Sequence, residues 1–169
     1  MTDDSQSDQR ALLRLRLAAE VAELNARYAQ AIDENQLEAW PDLFIEQGRY
    51  RVTTAENVAR GLPLALIHAT SRAMLRDRVR SLRDANIYEA QRYRHLLGAP
   101  LIEPQGEDDE IRAATSFMVA RIMHTGETVL FATGRYQDSI VREGGVLRFA
   151  ERRVVLDSRL IDTLLALPL

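Results

Sequence analysis

IRAATSFMVARIMHTGETVLFATGRYQDSIVREGGVLRFAERRVVLD, residues Ile111 to Asp157, is the stretch that decides the fold. It is rich in β-branched and aromatic residues, and two glycine-bearing breaks divide it into Ile111 to His124, Thr128 to Val141 and Val146 to Asp157. The breaks, Thr125-Gly126 and Glu143-Gly144-Gly145, carry the residue types that tight hairpin turns require. Three strands joined by two such turns make an antiparallel meander. Just upstream, Arg92 to Ile102 reads as another strand, and the polar run Glu103 to Glu110, EPQGEDDE, reads as a solvated loop.

Towards the N-terminus the period changes from two to between three and four. Leu13, Leu17, Val21, Leu24, Tyr28 and Ile32 form one stripe of an amphipathic helix over Arg10 to Ile32. A short helix is expected over Gln36 to Phe44, kinked by Pro41, followed by a strand over Gln47 to Thr54 with Tyr50 and Val52 on one face. Ser71 is positioned to cap a third helix running to Ala85, with Met74, Leu75, Val79 and Leu82 as its apolar face. Helices first and a long curved sheet second is an α+β layout. Helices on the concave face of one mainly antiparallel sheet would make a cone-shaped barrel. Residues 1–169 read as a single domain, with the polar, acidic Met1 to Gln9 expected to be disordered.

Composition excludes several classes. Formal charge is −3, against the basic excess of a nucleic-acid binder, and no apolar run is long enough to span a bilayer. The N-terminus has no positively charged segment leading into an apolar one, so the expected location is the cytoplasm. All 22 basic residues are arginine, the side chain best suited to planar, bidentate pairs and buried interfaces. There is no cysteine, which removes disulfides, thiolate nucleophiles and cysteine ligation of an iron–sulfur cluster. His68, His95 and His124 are scattered, and no two have metal-ligand spacing.

A cone has a mouth where polar groups gather, and Asp33, Tyr50, His68, His95 and Asp138 are the candidates. A free-standing isomerase or dehydratase of this shape would use an aspartate or histidine base beside a tyrosine that polarises a carbonyl. The residue types allow this chemistry without a motif that demands it; Asp33 at a helix end and a lone core histidine have ordinary structural roles. The arginines Arg72, Arg76, Arg78, Arg80 and Arg83 read as a partly solvated helix face with one or two in an interface. The C-terminus, DTLLALPL (Asp162 to Leu169), is apolar to its last residue and is expected to be buried, in the core or against a partner.

Five blocks in order carry a resemblance: YAQAIDENQLEAWPDLF (Tyr28 to Phe44), YRVTTAEN (Tyr50 to Asn57), MLRDRVRSLRDANIYEAQRYRHLLG (Met74 to Gly98), SFMVARIMHTGETVLFATGRYQD (Ser116 to Asp138) and RFAERRVVLDSRLIDTLLALPL (Arg148 to Leu169). From about Leu24 to Leu169 the chain resembles the β (small) subunits of aromatic-ring-hydroxylating dioxygenases, most of all the terephthalate-type members. The resemblance implies an NTF2-like (cystatin-like) cone, shared with nuclear transport factor 2, ketosteroid isomerase and scytalone dehydratase. It also implies a large α subunit as partner, in an α3β3 hexamer. That partner would hold a Rieske 2Fe–2S cluster and a mononuclear Fe(II), fed by an NAD(P)H-dependent reductase, and would cis-dihydroxylate an arene. On this reading the chain itself has no catalytic, cofactor-binding or metal residue. The alternative reading is an independent cone-fold isomerase or dehydratase, and a weaker third is a homo-oligomeric ligand-binding protein.

Overall fold

The alternating segments form one antiparallel meander, β5 (Ile111–Met123), β6 (Thr128–Glu143) and β7 (Val146–Leu156). The structure, a computed structural model, describes residues 2–85, 89–103, 110–159, 165 and 167–169, with residues 2–6 and 85 described in backbone only. Along β5, Ile111, Ala113, Thr115, Phe117 and Val119 are buried while the residues between them face outward. This is the two-residue period of a sheet with one core face and one solvated face. Gly144 and Gly145 make the β6–β7 turn with φ of 59° and 83°, and positive φ at both central positions matches the twist of the flanking strands.

β1 (Phe44–Thr54) joins β7 in parallel and makes the sheet mixed. The full order is β2-β1-β7-β6-β5-β3, with β4 (Leu101–Ile102) also on β5. The edges are β2 (Ile67–Ala69) and β3 (Gln91–Leu97), so the sheet stays open and its cone comes from curvature. Register shifts at Phe44/Arg49, Val119/Ala120 and Ser139/Ile140 bend the strands. A Cβ at Gly134 would lie 2.2 Å from the Val155 carbonyl oxygen, so β6 and β7 approach there as only glycine allows.

α1 (Thr2–Asp33) packs on β3, β4 and β7, and α3 (Arg72–Ala85) packs on β1 and β2. Ser71 caps α3 as expected, accepting from the Met74 amide at 3.3 Å. The core joins Val21, Leu24, Tyr28 and Ile32 of α1 to Leu75 and Val79 of α3 and to the inner faces of the strands.

Several boundaries differ from expectation. α1 begins at Thr2, not Arg10, and takes in the segment expected to be disordered. Residues 7–16 are exposed, so Leu13 lies clear of the sheet and the buried stripe begins at Val21. The helix expected over Gln36 to Phe44 is only a 3-10 turn, Trp40–Leu43, with Pro41 inside it, and Phe44 already belongs to β1. The strand expected over Arg92 to Ile102 is two, β3 and β4, because Gly98 and Pro100 interrupt it and proline donates no ladder hydrogen bond. Met74 faces outward, beside the Thr70 hydroxyl. α2 (Ala55–Ala59), capped by Thr54, and β2 were not expected. Residues 104–109 of the expected solvated loop, and 160–164 and 166 near the C-terminus, lie outside the described residues.

Candidate functional site

α1 stops at Asn35, whose φ of 56° is the left-handed conformation of a helix cap. The Asn35 and Gln36 amides bond back to the carbonyls of Ile32 and Ala31 at 3.1 and 2.8 Å. This stop presents Asp33, the last helical residue, to the edge strand β3. Asp33 Oδ2 accepts the His95 backbone N–H at 2.9 Å, and Oδ1 lies 2.6 Å from His95 Nδ1. Both side chains are buried, and His95 Nε2 has no hydrogen-bond partner among the described residues. A carboxylate that orients an imidazole and leaves its far nitrogen free is the arrangement of a general base. A cavity of about 510 Å³ at the mouth of the cone is lined in part by Ile32, Asp33, Leu82, Tyr93 and Leu167, but not by His95.

The interior is occupied by the chain itself. Leu167 and Leu169 are buried in the core cluster. Tyr50 Oη accepts the Leu169 N–H at 3.0 Å, and the Leu169 carbonyl oxygen accepts from the Tyr28 and Tyr50 hydroxyls at 2.5 and 3.2 Å. Arg78 Nη2 of α3 donates to the Leu165 carbonyl at 2.9 Å. Burial pushes the Tyr28, Tyr50 and Tyr136 phenols above their usual range, so all three stay neutral.

Deeper still, Arg152 of β7 is fully buried within an aromatic cage. Its guanidinium carbon lies 4.2, 3.9 and 4.0 Å from the ring centroids of Tyr28, Tyr136 and Phe149. Arg152 Nε and Nη2 donate to the two oxygens of Asp138 at 2.9 and 2.6 Å, and Nη2 also donates to Asn25 Oδ1. Asn25 Nδ2 in turn donates to Thr115 Oγ1 at 3.0 Å, so the network runs from α1 through β7 and β6 to β5. Burial opposes both charges. For Arg152 the charge and hydrogen bonds of Asp138 outweigh it, holding the guanidinium ionised. Burial pushes the Asp138 carboxyl up, and Arg152 pulls it only partly back.

Asp33, Tyr50, His95 and Asp138 therefore all turn inward, but in separate groups: Asp33 with His95, Tyr50 with Leu169, and Asp138 with Arg152. His68 is exposed on β2, at the opposite edge of the sheet from His95. Sequence reasoning missed Arg152, Asn25 and Tyr28 as polar members of the interior. The signal was present: strand parity places Arg152 with the buried Val154 and Leu156, and helical spacing places Asn25 between Val21 and Tyr28. The α3 arginines mostly lash this chain to itself: Arg72 to Glu46, Arg76 to Asp42, and Arg83 to Glu38 and Asn35.

A Rieske cluster needs two cysteines and two histidines, and a mononuclear iron site of the facial type needs two histidines and a carboxylate. This chain has no cysteine, and its His68 and His95 stand on opposite edges of the sheet. Among the described residues no group of three potential ligands lies together. The residues present do not fit either iron group.

A SnoaL-like domain matches residues 13–153. The chain is 49% identical to the β1 subunit of the terminal oxygenase component of terephthalate 1,2-dioxygenase from Comamonas sp., over 89% of this chain and 97% of that one. It is 39% identical to the anthranilate 1,2-dioxygenase small subunit from Burkholderia cepacia, over 89% and 92% of the two chains. The crystal structure of a β subunit assigned to an aromatic-ring-hydroxylating dioxygenase of Novosphingobium aromaticivorans superposes with a TM-score of 0.84 at 35% identity, covering 93% of this chain and 99% of that one. Family model, relatives and fold therefore point the same way: the chain has the SnoaL-like fold and belongs to the β subunits of aromatic-ring-hydroxylating dioxygenases.

Proposed function

We propose that this chain is the non-catalytic small subunit of a terephthalate-type terminal oxygenase, bound to a large α subunit in an α3β3 hexamer in the cytoplasm. The observation that carries this reading is the filled cone. Behind the cavity at the mouth, the interior between sheet and helices holds Leu167 and Leu169, tied to Tyr28, Tyr50 and, through Leu165, Arg78. The iron groups, a Rieske 2Fe–2S cluster and a mononuclear Fe(II), reside in the α subunit and supply the electron transfer and oxygen activation that cis-dihydroxylate an aromatic carboxylate. Electrons come from an NAD(P)H-dependent reductase. No catalytic, cofactor or metal role falls to a residue of this chain. Nucleic acid and membrane are not partners.

The second reading, an isomerase or dehydratase, is favoured by one observation, the buried Asp33–His95 pair with its free Nε2. One experiment separates the two. Asp33→Asn and His95→Ala are each co-expressed with a terephthalate-type α subunit, and turnover of the purified hexamer is measured. The expected result is turnover within about threefold of wild type, because losing a true general base costs about 10²–10⁴-fold. A loss of that larger size in intact hexamers would return the pair to a catalytic role.

A further inference from the structure

The outer face of the sheet carries an apolar patch that the fold itself does not use. In the register of β3, β5 and β6, Leu96 stands opposite Met118, Met118 opposite Thr133, and Ala120 opposite Leu130. Leu96, Met118 and Leu130 are 57%, 44% and 60% exposed, on the face where a solvated sheet normally shows polar side chains. Their outward parity is set by buried neighbours: Tyr93 and His95 on β3, and Phe117 and Val119 on β5, point the other way.

Two unpaired arginines border this patch. Arg92 is paired in register with Ile122 and Arg135 with Ser116, which places them at two borders of the patch. Both are exposed, and neither makes an ion pair among the described residues. Of the other outward positions next to the patch, Arg94, Arg112, Gln137 and Ser139 carry no negative charge; Arg94 and Arg112 are paired to Glu34 and Glu110, and Glu143 lies at the far end of β6.

We infer that this patch is the docking surface for the large subunit of the terminal oxygenase, which meets it with an apolar surface flanked by carboxylates. The inference rests on the proposed role as a small subunit. A second copy of this chain is the poorer occupant, since a twofold contact would set arginine-bordered faces against each other, and like charges at an interface oppose association. An acidic, apolar surface on a different subunit satisfies both the leucines and the two arginines.

The chain has no cysteine, so Met118→Cys creates its one thiol, and Leu64→Cys, on an exposed loop elsewhere, serves as control. Each full-length variant is labelled with a maleimide, alone and co-purified with a terephthalate-type large subunit, and labelling of this chain is read by mass. Expected is labelling of Cys at 118 at least about tenfold slower in the complex than in the free chain, with the control position unchanged. Arg92→Glu combined with Arg135→Glu, both exposed and free of structural partners, is expected to weaken co-assembly at least about tenfold while the free chain keeps its circular dichroism. Equal labelling in the complex, or normal assembly of the charge-reversed chain, would overturn the inference and leave the small-subunit role standing. Protection already present in the free chain would assign the patch to a second copy instead. A wild-type chain that never joins the large subunit would overturn both readings.

Discussion

Arg152 is the residue on which the interior turns. A guanidinium has a large desolvation cost, offset here by the two Asp138 oxygens, the Asn25 amide oxygen and the faces of three aromatic rings, with Nη1 left without a hydrogen bond among the described residues. Removing one partner is worse than removing both, because it strands the other charge in a water-free site. Arg152→Ala is therefore expected to destabilise the chain by about 3–5 kcal/mol, the usual cost of breaking a buried pair. Urea unfolding of the purified variant measures it, and a loss below about 1 kcal/mol, the level of an exposed pair, would show that the network is not what holds the interior. The same residue marks a limit of reading side chains singly. An arginine between arginine and glutamate in ERRVVLD looks solvated by type, and only its parity on β7 says that it faces in.

At the level of elements, what was legible depended on length. β5, β6 and β7 run for 13, 16 and 11 residues, long enough for alternation to repeat and for the glycine turns to punctuate it. β2 has three residues and α2 five, too few for any period to show, and the misplacement of His68 follows directly from the missing β2. The inward turn of Asp33, Tyr50, His95 and Asp138 was readable from their strands and helix, but their sorting into three groups depends on contacts up to 119 residues apart, which no local pattern encodes. One such long-range tie is open to measurement. Glu20 of α1 accepts from Arg142 of β6 and from Arg16, and the Arg142 hydrogen bond holds its carboxyl below the usual 4.5. The folded state thus binds fewer protons than the unfolded one, so this contribution is present above pH 4.5 and disappears as pH falls through the lowered folded value. Glu20→Gln is expected to lower Tm by no more than about 2–4 °C at pH 7, since an exposed pair contributes under about 1 kcal/mol. The gap between variant and wild type should close as the pH falls from above 4.5 through the lowered folded value; a gap independent of pH would mean that Glu20 acts by packing alone.

Across the whole molecule, the chain's C-terminal leucines complete a fold that the sheet leaves open. The β2 and β3 edges do not meet, and without the tail the hydroxyls of Tyr28 and Tyr50 would lose their cover at one end. Leu169 occupies that end, with its side chain fully buried and its backbone N–H and C=O both bonded to tyrosine hydroxyls that burial keeps neutral. The tail is thus a part of the core supplied from the end of the chain, which explains an apolar run that no surface role would need. Removing residues 165–169 deletes two buried leucines and leaves the two tyrosine hydroxyls without these partners. Each buried leucine lost to a cavity costs about 2–5 kcal/mol, and an orphaned hydroxyl about 1–3 kcal/mol. Set against a typical total stability of about 5–15 kcal/mol, the truncated chain is expected to be largely unfolded or to bind a hydrophobic dye. Thermal unfolding and dye binding of the purified truncation, beside Leu169→Ala as a milder lesion, check this. A truncated chain that melts cooperatively at the wild-type temperature would show that the cone stands without its tail, and would return its interior to the status of an open pocket.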